Sequence, residues 1–178
     1  MIDVKNLNGQ TFRGWSVLEE IGRGADGVVY RTAQKDRNVA LKLFLPEVVA
    51  KNGLGDDQAR LELQLNLIGK KHHANLVEIY EGGYDKDSEV FYLVMEYVPG
   101  RSLDKLLKIL PRQAIAPLLK QLVNAAKFLH EMGLVHRDIK PANIVVSNDF
   151  TKLTLLDLGV ATHHVEVADN QQLSGEEF

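Results

Sequence analysis

The 178-residue sequence contains no cysteine, which excludes disulfide bonds, thiolate metal sites and cysteine nucleophiles. It also lacks a signal-peptide core at its start and an apolar run long enough to cross a bilayer. A basic excess is missing as well, because the formal net charge is -3. Bulk electrostatics therefore favour neither nucleic acid nor an anionic membrane as a partner. We expect a cytoplasmic protein with no membrane insertion in this segment.

The composition that remains is globular, with 45% hydrophobic and 25% charged residues, which suffices for one sizeable core or two small ones. The first half is rich in short β-branched segments punctuated by glycine, and it predicts antiparallel strands within residues 15–45. Further strands are predicted at residues 76–80 and 90–97, separated by a turn with the sequence GGYDKDS. Between them, residues 56–71 show the apolar spacing of an amphipathic helix.

The second half has helical periodicity over residues 115–129, and Gly133 is expected to end that helix. Pro117 is tolerated in such a helix only if it lies in the first turn. Residues 144–146 and 153–156 are two short apolar runs that predict a hairpin.

Pro99 and Gly100 break the pattern between the two halves. We therefore divide the chain into residues 1–97 and residues 98–178, and expect two lobes with a cleft between them.

Four short motifs place reactive groups in a fixed order along the chain. Gly22, Gly24 and Gly27 lie in a turn between predicted strands, where backbone amides could approach phosphate oxygens. Lys42 is embedded in an apolar strand and needs an anion if its charge is buried. The loop HRDIKPAN, residues 136–143, concentrates a carboxylate, an ammonium and an amide. Asp157 then follows an apolar strand, where its carboxylate could meet a divalent cation.

Each motif alone has a simpler explanation: a glycine hairpin, an exposed edge lysine, or a turn that begins with aspartate. The adjacent histidine pairs at 72–73 and 163–164 lack the spacing of metal ligands and are interpreted as solvated loop residues. The four motifs together, in this order and at these spacings, resemble the protein-kinase signature set.

From about Trp15 to Ala161 the chain is similar to eukaryotic-type serine/threonine protein kinases. This resemblance implies an α+β, protein-kinase-like fold: an N-terminal lobe with a five-stranded antiparallel sheet and one helix, hinged to an incomplete, mainly helical C-terminal lobe. ATP and Mg²⁺ would bind in the cleft between them. The implied reaction is transfer of the γ-phosphoryl group of ATP to Ser or Thr hydroxyls of a protein substrate.

On the same resemblance Asp138 accepts the proton of the substrate hydroxyl, Lys140 steadies the γ-phosphate and Lys42 contacts the α- and β-phosphates. Asn143 and Asp157 would hold magnesium. The glycines that would cover the phosphates are Gly22, Gly24 and Gly27. The residues that would surround the adenine base are Val29, Ala40, Met95, Glu96, Val98 and Val145. The residues that would form a hydrophobic column linking the lobes are Ile68, Ile79, His136 and Leu158.

The sequence departs from the family pattern in the first lobe. The helix position that normally carries a glutamate paired with the strand lysine falls on Gln64, which offers hydrogen bonds but no charge. Glu62 is the nearest carboxylate, but it should face away, about 200° around the helix. Full activity is therefore not assured by the motifs alone.

No Ala-Pro-Glu motif follows Gly159, so we expect a chain truncated within the activation segment, a fragment or one part of an assembly. The helix at 115–129 should then expose an apolar stripe that invites self-association or a partner chain. Arg137 could read a phosphate on the activation segment; Thr162 and Ser174 are candidate acceptors, with an ordinary solvated hydroxyl as the alternative.

Two other functions remain open from the sequence. A kinase-like module could bind nucleotide or a partner with little or no catalysis, which the glutamine at position 64 favours. A small-molecule phosphotransferase is disfavoured, because those enzymes generally lack a lysine at the position of Lys140.

Overall fold

The computed structural model describes residues 3–25, 27–45, 65, 72–156 and 161–162. Within these ranges, no helix has the length and apolar character needed to span a membrane. The predicted helix at 56–71 and the predicted column residues Ile68 and Leu158 lie outside the described residues, except that Leu65 is helical.

A six-stranded antiparallel sheet forms the first part of the chain. Its strands follow in the order β1-β2-β3-β4-β6-β5. They are β1 (Thr11–Phe12), β2 (Trp15–Arg23), β3 (Gly27–Gln34), β4 (Arg37–Phe44), β5 (Ile79–Asp85) and β6 (Val90–Glu96). The five long strands confirm the predicted sheet, and the two-residue strand β1 adds a sixth at the edge next to β2.

Strand β4 shows how the sheet is built, because its side chains alternate between two hydrophobic clusters. Val39, Leu41 and Leu43 belong to one cluster, together with Leu7 from the N-terminal segment. Ala40 belongs to a second cluster on the opposite face. The even-numbered residues of β4 therefore point toward the rest of the chain, where a cleft is expected.

The turn predicted within GGYDKDS is shorter than expected, because Gly82, Gly83, Tyr84 and Asp85 all lie within β5. A Cβ at Gly82 would lie 2.8 Å from the Tyr92 carbonyl oxygen on the neighbouring strand. This glycine therefore serves close strand packing rather than a turn. The turn occupies residues 86–89 instead.

The second part of the chain is built from short elements around one long helix. They are β7 (Arg101–Ser102), α1 (Leu103–Leu106), α2 (Arg112–Glu131), β8 (Leu134–Val135), a 3₁₀ turn (Pro141–Asn143), β9 (Ile144–Val146), β10 (Leu153–Leu155) and β11 (Ala161–Thr162). The predicted hairpin is confirmed, since β9 pairs with β10 in antiparallel register. Strand β7 adds to the other edge of β9, and β11 pairs with β8.

Helix α2 begins at Arg112, so Pro117 is its sixth residue and not part of its first turn. The expectation for Pro117 was wrong. A proline there deprives only the Gln113 carbonyl of its intrahelical donor, and Gln113 is exposed, so water can supply the missing bond. Gly133, with φ +73°, ends the helix as predicted.

One face of α2 is buried and the other is open. Leu118 and Leu129 are buried, whereas Ile115, Leu119 and Val123 are exposed by 42%, 54% and 63%. The exposed apolar stripe predicted from the sequence is therefore present on the described surface.

Two backbone hydrogen bonds join the segment before β5 to β10. The Val77 amide donates to the Leu155 carbonyl over 3.0 Å, and the Leu155 amide donates to the Asn75 carbonyl over 2.8 Å. The second hydrophobic cluster also crosses this junction, because it contains Ala40 and Met95 of the sheet together with Leu129 of α2. The division at residues 97 and 98 stays a prediction, although β6 ends at Glu96.

Candidate functional site

The glycine-rich segment at residues 22–27 connects β2 to β3 as a hairpin turn. Gly22 pairs with Val29 across the two strands, and the Gly24 amide donates to the Gly27 carbonyl over 2.9 Å. A Cβ at Gly27 would collide with the Leu43 carbonyl of β4, whereas nothing lies within 4 Å of a Cβ at Gly24. Packing thus requires glycine at position 27, while position 24 leaves open space beside the loop.

Lys42 lies in β4 between two fully buried leucines, and it is itself only 7% exposed. It shares the inward face of the strand with Ala40 and pairs across the sheet with Val29. Its Nζ atom is 5.0 Å from the centre of the Phe44 ring. A buried ammonium on this face is suited to an anionic ligand. Gln64 and Glu62 lie outside the described residues.

An apolar wall stands beside this lysine. Ala40 and Met95 are cross-strand partners, and both are buried in the second cluster with the half-buried Val29 and Val98. The structure therefore brings four of the six predicted base-binding residues into one cluster. Val145 lies on β9 and is half-buried outside that cluster.

Glu96 differs from the other predicted contacts because its backbone N–H is already used. It donates to the Glu78 carbonyl over 2.8 Å. A base can therefore form a backbone hydrogen bond with Glu96 only by donating to the Glu96 carbonyl.

The loop after β8 brings two polar side chains to one carboxylate. Lys140 Nζ lies 2.7 Å from Asp138 Oδ2, and Asn143 Nδ2 donates to the same oxygen over 2.8 Å. The hydrogen bond from Lys140 is the main reason that the pKa of Asp138 is lowered, and the bond from Asn143 lowers this pKa further. The Asp138 side chain is 45% exposed. The lowered pKa makes this carboxylate a weaker base, so its exposed position in the loop is what suits it to accept a proton from a bound hydroxyl.

The backbone of this loop is held in an uncommon conformation. Arg137 has φ +61°, in the left-handed region that non-glycine residues rarely adopt. His136 is 2% exposed, and its ring lies between two backbone groups: Nε2 is 2.9 Å from the Leu156 carbonyl oxygen and Nδ1 is 3.3 Å from the Asp138 amide. The buried imidazole therefore fixes the loop against the end of β10.

A second contact joins the same two segments, because the Leu156 amide donates to the Asn143 carbonyl over 2.8 Å. Leu156 directly precedes Asp157, the predicted metal ligand, which lies outside the described residues. The residue before Asp157 is therefore hydrogen-bonded to the 138–143 loop. The pairing of Asn143 with Asp157 stays a prediction.

Asn143 has the chemistry that a hard cation needs. Its Nδ2 donates to the backbone carbonyl and to the carboxylate of Asp138, which leaves Oδ1 as the acceptor atom for a ligand. Amide and carboxylate oxygens are the protein ligands of Mg²⁺. Among the described residues, no group of three or more His, Cys, Asp or Glu side chains could hold a metal, so the fit depends on Asp157 and on oxygens of a bound nucleotide.

Sequence patterns missed two structural supports of this site. Gly100 has φ +145°, and a Cβ there would lie 2.9 Å from Val145 Cγ1; its sequence signal, a proline-glycine pair, indicated only a break. Asn75 donates both to Gln121 Oε1 over 2.8 Å and to the Leu153 carbonyl over 2.6 Å. In the sequence, Gln121 is only a polar residue beside the apolar face of a helix, and this pattern does not indicate its partner Asn75.

Comparisons with known proteins agree on one family. The profile of the family described as "Protein kinase domain" matches residues 15–177. The chain is 36% identical over 156 residues to a protein of Clostridium acetobutylicum named a probable serine/threonine-protein kinase, covering 83% of this chain and 22% of that protein. It is 33% identical over 159 residues to mouse Aurora kinase C, covering 86% of this chain and 55% of that protein.

A solved structure shows the same fold. The kinase domain of Mycobacterium tuberculosis PknI superposes with a TM-score of 0.70 at 24% identity, covering 85% of this chain and 61% of that one. The chain thus spans only part of each protein that it resembles.

Proposed function

Because this chain belongs to the protein kinase family, we propose that it carries the nucleotide-binding and proton-accepting part of an ATP-dependent kinase that phosphorylates Ser or Thr hydroxyls of proteins. Relatives named as serine/threonine kinases support that choice of acceptor. The chain spans 22% and 55% of the lengths of the two relatives described above, so the activity and substrates of the whole protein belong to the proposal. The absence of cysteine favours a cytoplasmic location.

The carboxylate of Asp138 is the observation that carries the proposal. Its two donors, Lys140 and Asn143, hold one oxygen and lower the pKa of the group. The second oxygen can accept the proton of a substrate hydroxyl as that hydroxyl attacks phosphorus. Lys140, whose Nζ lies 2.7 Å from Asp138 Oδ2, would place its positive charge beside the phosphoryl group in transfer.

The other predicted residues arrange the nucleotide. Gly22, Gly24 and Gly27 would let loop amides approach phosphate oxygens, and Lys42 would supply a buried cation to the α- and β-phosphates. The apolar wall with Ala40 and Met95 would contact the base. Asn143 and Asp157 would hold Mg²⁺, which neutralises phosphate charge when bound.

The test is phosphotransfer by the longest protein that contains this chain, with Asp138→Asn as the variant. The amide keeps the shape of the side chain but cannot accept the proton, so we expect transfer to fall by about 100-fold or more. Asp87→Asn, at an exposed aspartate in the β5–β6 turn, is the matched control and should retain activity.

Two outcomes would contradict the assignment. Full transfer by Asp138→Asn would remove Asp138 from the reaction. Nucleotide binding without any transfer by the wild-type protein would favour the alternative, a kinase-like binding module.

A further inference from the structure

Residues 3–10 precede the part of the chain that the kinase family profile matches, which begins at Trp15. They nevertheless contribute to the sheet's main hydrophobic cluster, where Leu7 is fully buried and Val4 is 4% exposed. We define residues 3–10 as the N-terminal strap. Burial of this kind fixes the strap on the outer face of the sheet, away from Ala40 and the apolar wall.

The strap is tied to both strands of the glycine-rich hairpin. On β2, the Gly9 amide donates to the Val17 carbonyl over 2.9 Å, and the Val17 amide donates to the Gln10 carbonyl over 2.8 Å. On β3, the Tyr30 hydroxyl donates to the Val4 carbonyl over 2.9 Å and is buried. These bonds join the strap to the two arms that carry the loop.

A further tie reaches the loop itself through Arg23, which lies between Gly22 and Gly24. Arg23 Nη2 donates to the Lys5 carbonyl over 2.8 Å. The same guanidinium binds the carboxylate of Glu20 through two bonds of 3.0 Å and 2.6 Å. Glu20 therefore orients the arginine, and the arginine connects the loop to the strap.

We propose that the N-terminal strap positions the glycine-rich loop, and that Arg23 is the positioning residue through which it does so. The strap lies on the face of the sheet opposite the Ala40 face, where the nucleotide is proposed to bind. It therefore acts on the position and mobility of the loop and makes no contact with the nucleotide. The inference rests on the proposed nucleotide site for its functional consequence, but the mechanical tie can be tested without nucleotide.

The first measurement is amide hydrogen exchange at Gly24, whose N–H donates to the Gly27 carbonyl. Arg23→Ala should accelerate this exchange about threefold to tenfold, the range that loss of one net hydrogen bond supports. Tyr30→Phe, which removes the hydroxyl that bonds to the backbone of Val4 and Leu7, should act in the same direction. Arg37→Ala, an exposed arginine at the start of β4, should leave Gly24 unchanged. Unchanged exchange in both Arg23→Ala and Tyr30→Phe would overturn the proposal.

The second measurement is ATP affinity in the same variants by calorimetry. Arg23→Ala should weaken binding about threefold to tenfold. The loss should shrink when Arg23→Ala is made in the Tyr30→Phe background, because the strap is then already loosened. Equal losses in both backgrounds would mean that Arg23 acts directly on the nucleotide, which would overturn the strap's role.

The two proposals fail in different ways. If the wild-type chain binds no ATP while Gly24 exchange still responds to Arg23→Ala, the nucleotide site fails and the strap stands as a structural tie. If ATP binds equally well to the wild type and to both variants, the nucleotide site stands and the strap's functional role is refuted.

Discussion

Replacing Gln121 by alanine tests whether a polar contact between helix α2 and strand β10 holds the junction that precedes Asp157. Gln121 Oε1 accepts from Asn75 Nδ2 and from the Leu153 amide, each over 2.8 Å. Its Nε2 donates to the Thr151 carbonyl over 2.8 Å. Three hydrogen bonds from one side chain thus join three segments of the chain.

The expected loss of stability comes mainly from one backbone donor, the Leu153 amide, which loses its hydrogen-bond partner. Leu153 is 2% exposed, so an unsatisfied N–H there costs about 1–3 kcal/mol. Thr151 is exposed and can bond to water, and Asn75 keeps its bond to the Leu153 carbonyl. The better helix propensity of alanine returns about 0.4 kcal/mol. We expect a net loss of about 0.6–2.6 kcal/mol in the free energy of unfolding.

Thermal or urea unfolding measures this loss, which should lower Tm by about 1–10 °C in a chain of this size. Gln113→Ala, on the exposed first turn of the same helix, should change stability by less than about 0.5 kcal/mol. The reasoning is refuted if Gln121→Ala is as mild as Gln113→Ala.

Gly27→Ala should lower the free energy of unfolding by about 1–3 kcal/mol, because a Cβ would collide with the Leu43 carbonyl; Gly24→Ala meets no atom within 4 Å and should be nearly neutral in the same unfolding assay. Equal losses would contradict the packing argument. The pKa of Asp149 is lowered to about 2, first by the Ser147 hydroxyl and then by Thr151, so its stabilising contribution is present above about pH 4 and is lost as pH falls through about 2. A carboxyl NMR titration should show this value in the wild type and a higher one in Ser147→Ala; an ordinary value in the wild type would refute the turn's role.

The strands and the loop motifs could be predicted because their signals are local. The glycines at positions 22 to 27, the apolar strand around Lys42 and the hairpin before Asp157 depend on residues adjacent in sequence. The carboxylate cluster around Asp138 is local too, since its two donors lie within the same loop. Short-range chemistry of this kind survives in any fold that keeps the loop intact.

The features that were missed depend on partners distant in sequence. The glycines of β5 indicated a turn, but Gly82 is set by its contact with Tyr92 on the adjacent strand. The bond between Asn75 and Gln121 joins residues that no local pattern connects. Strand β1 has two residues, too few for any periodicity, and it exists because β2 offers an edge. Tertiary contacts decide such features.

The most direct test of the nucleotide site is ATP binding to this chain by calorimetry, with and without Mg²⁺, compared among the wild type, Lys42→Ala and Asp157→Ala. We predict magnesium-dependent binding in the wild type and a loss of affinity of about tenfold or more in each variant, because each removes a charge proposed to face the phosphates or the metal. Binding of equal strength in all three proteins, or binding that ignores magnesium, would contradict the proposed site.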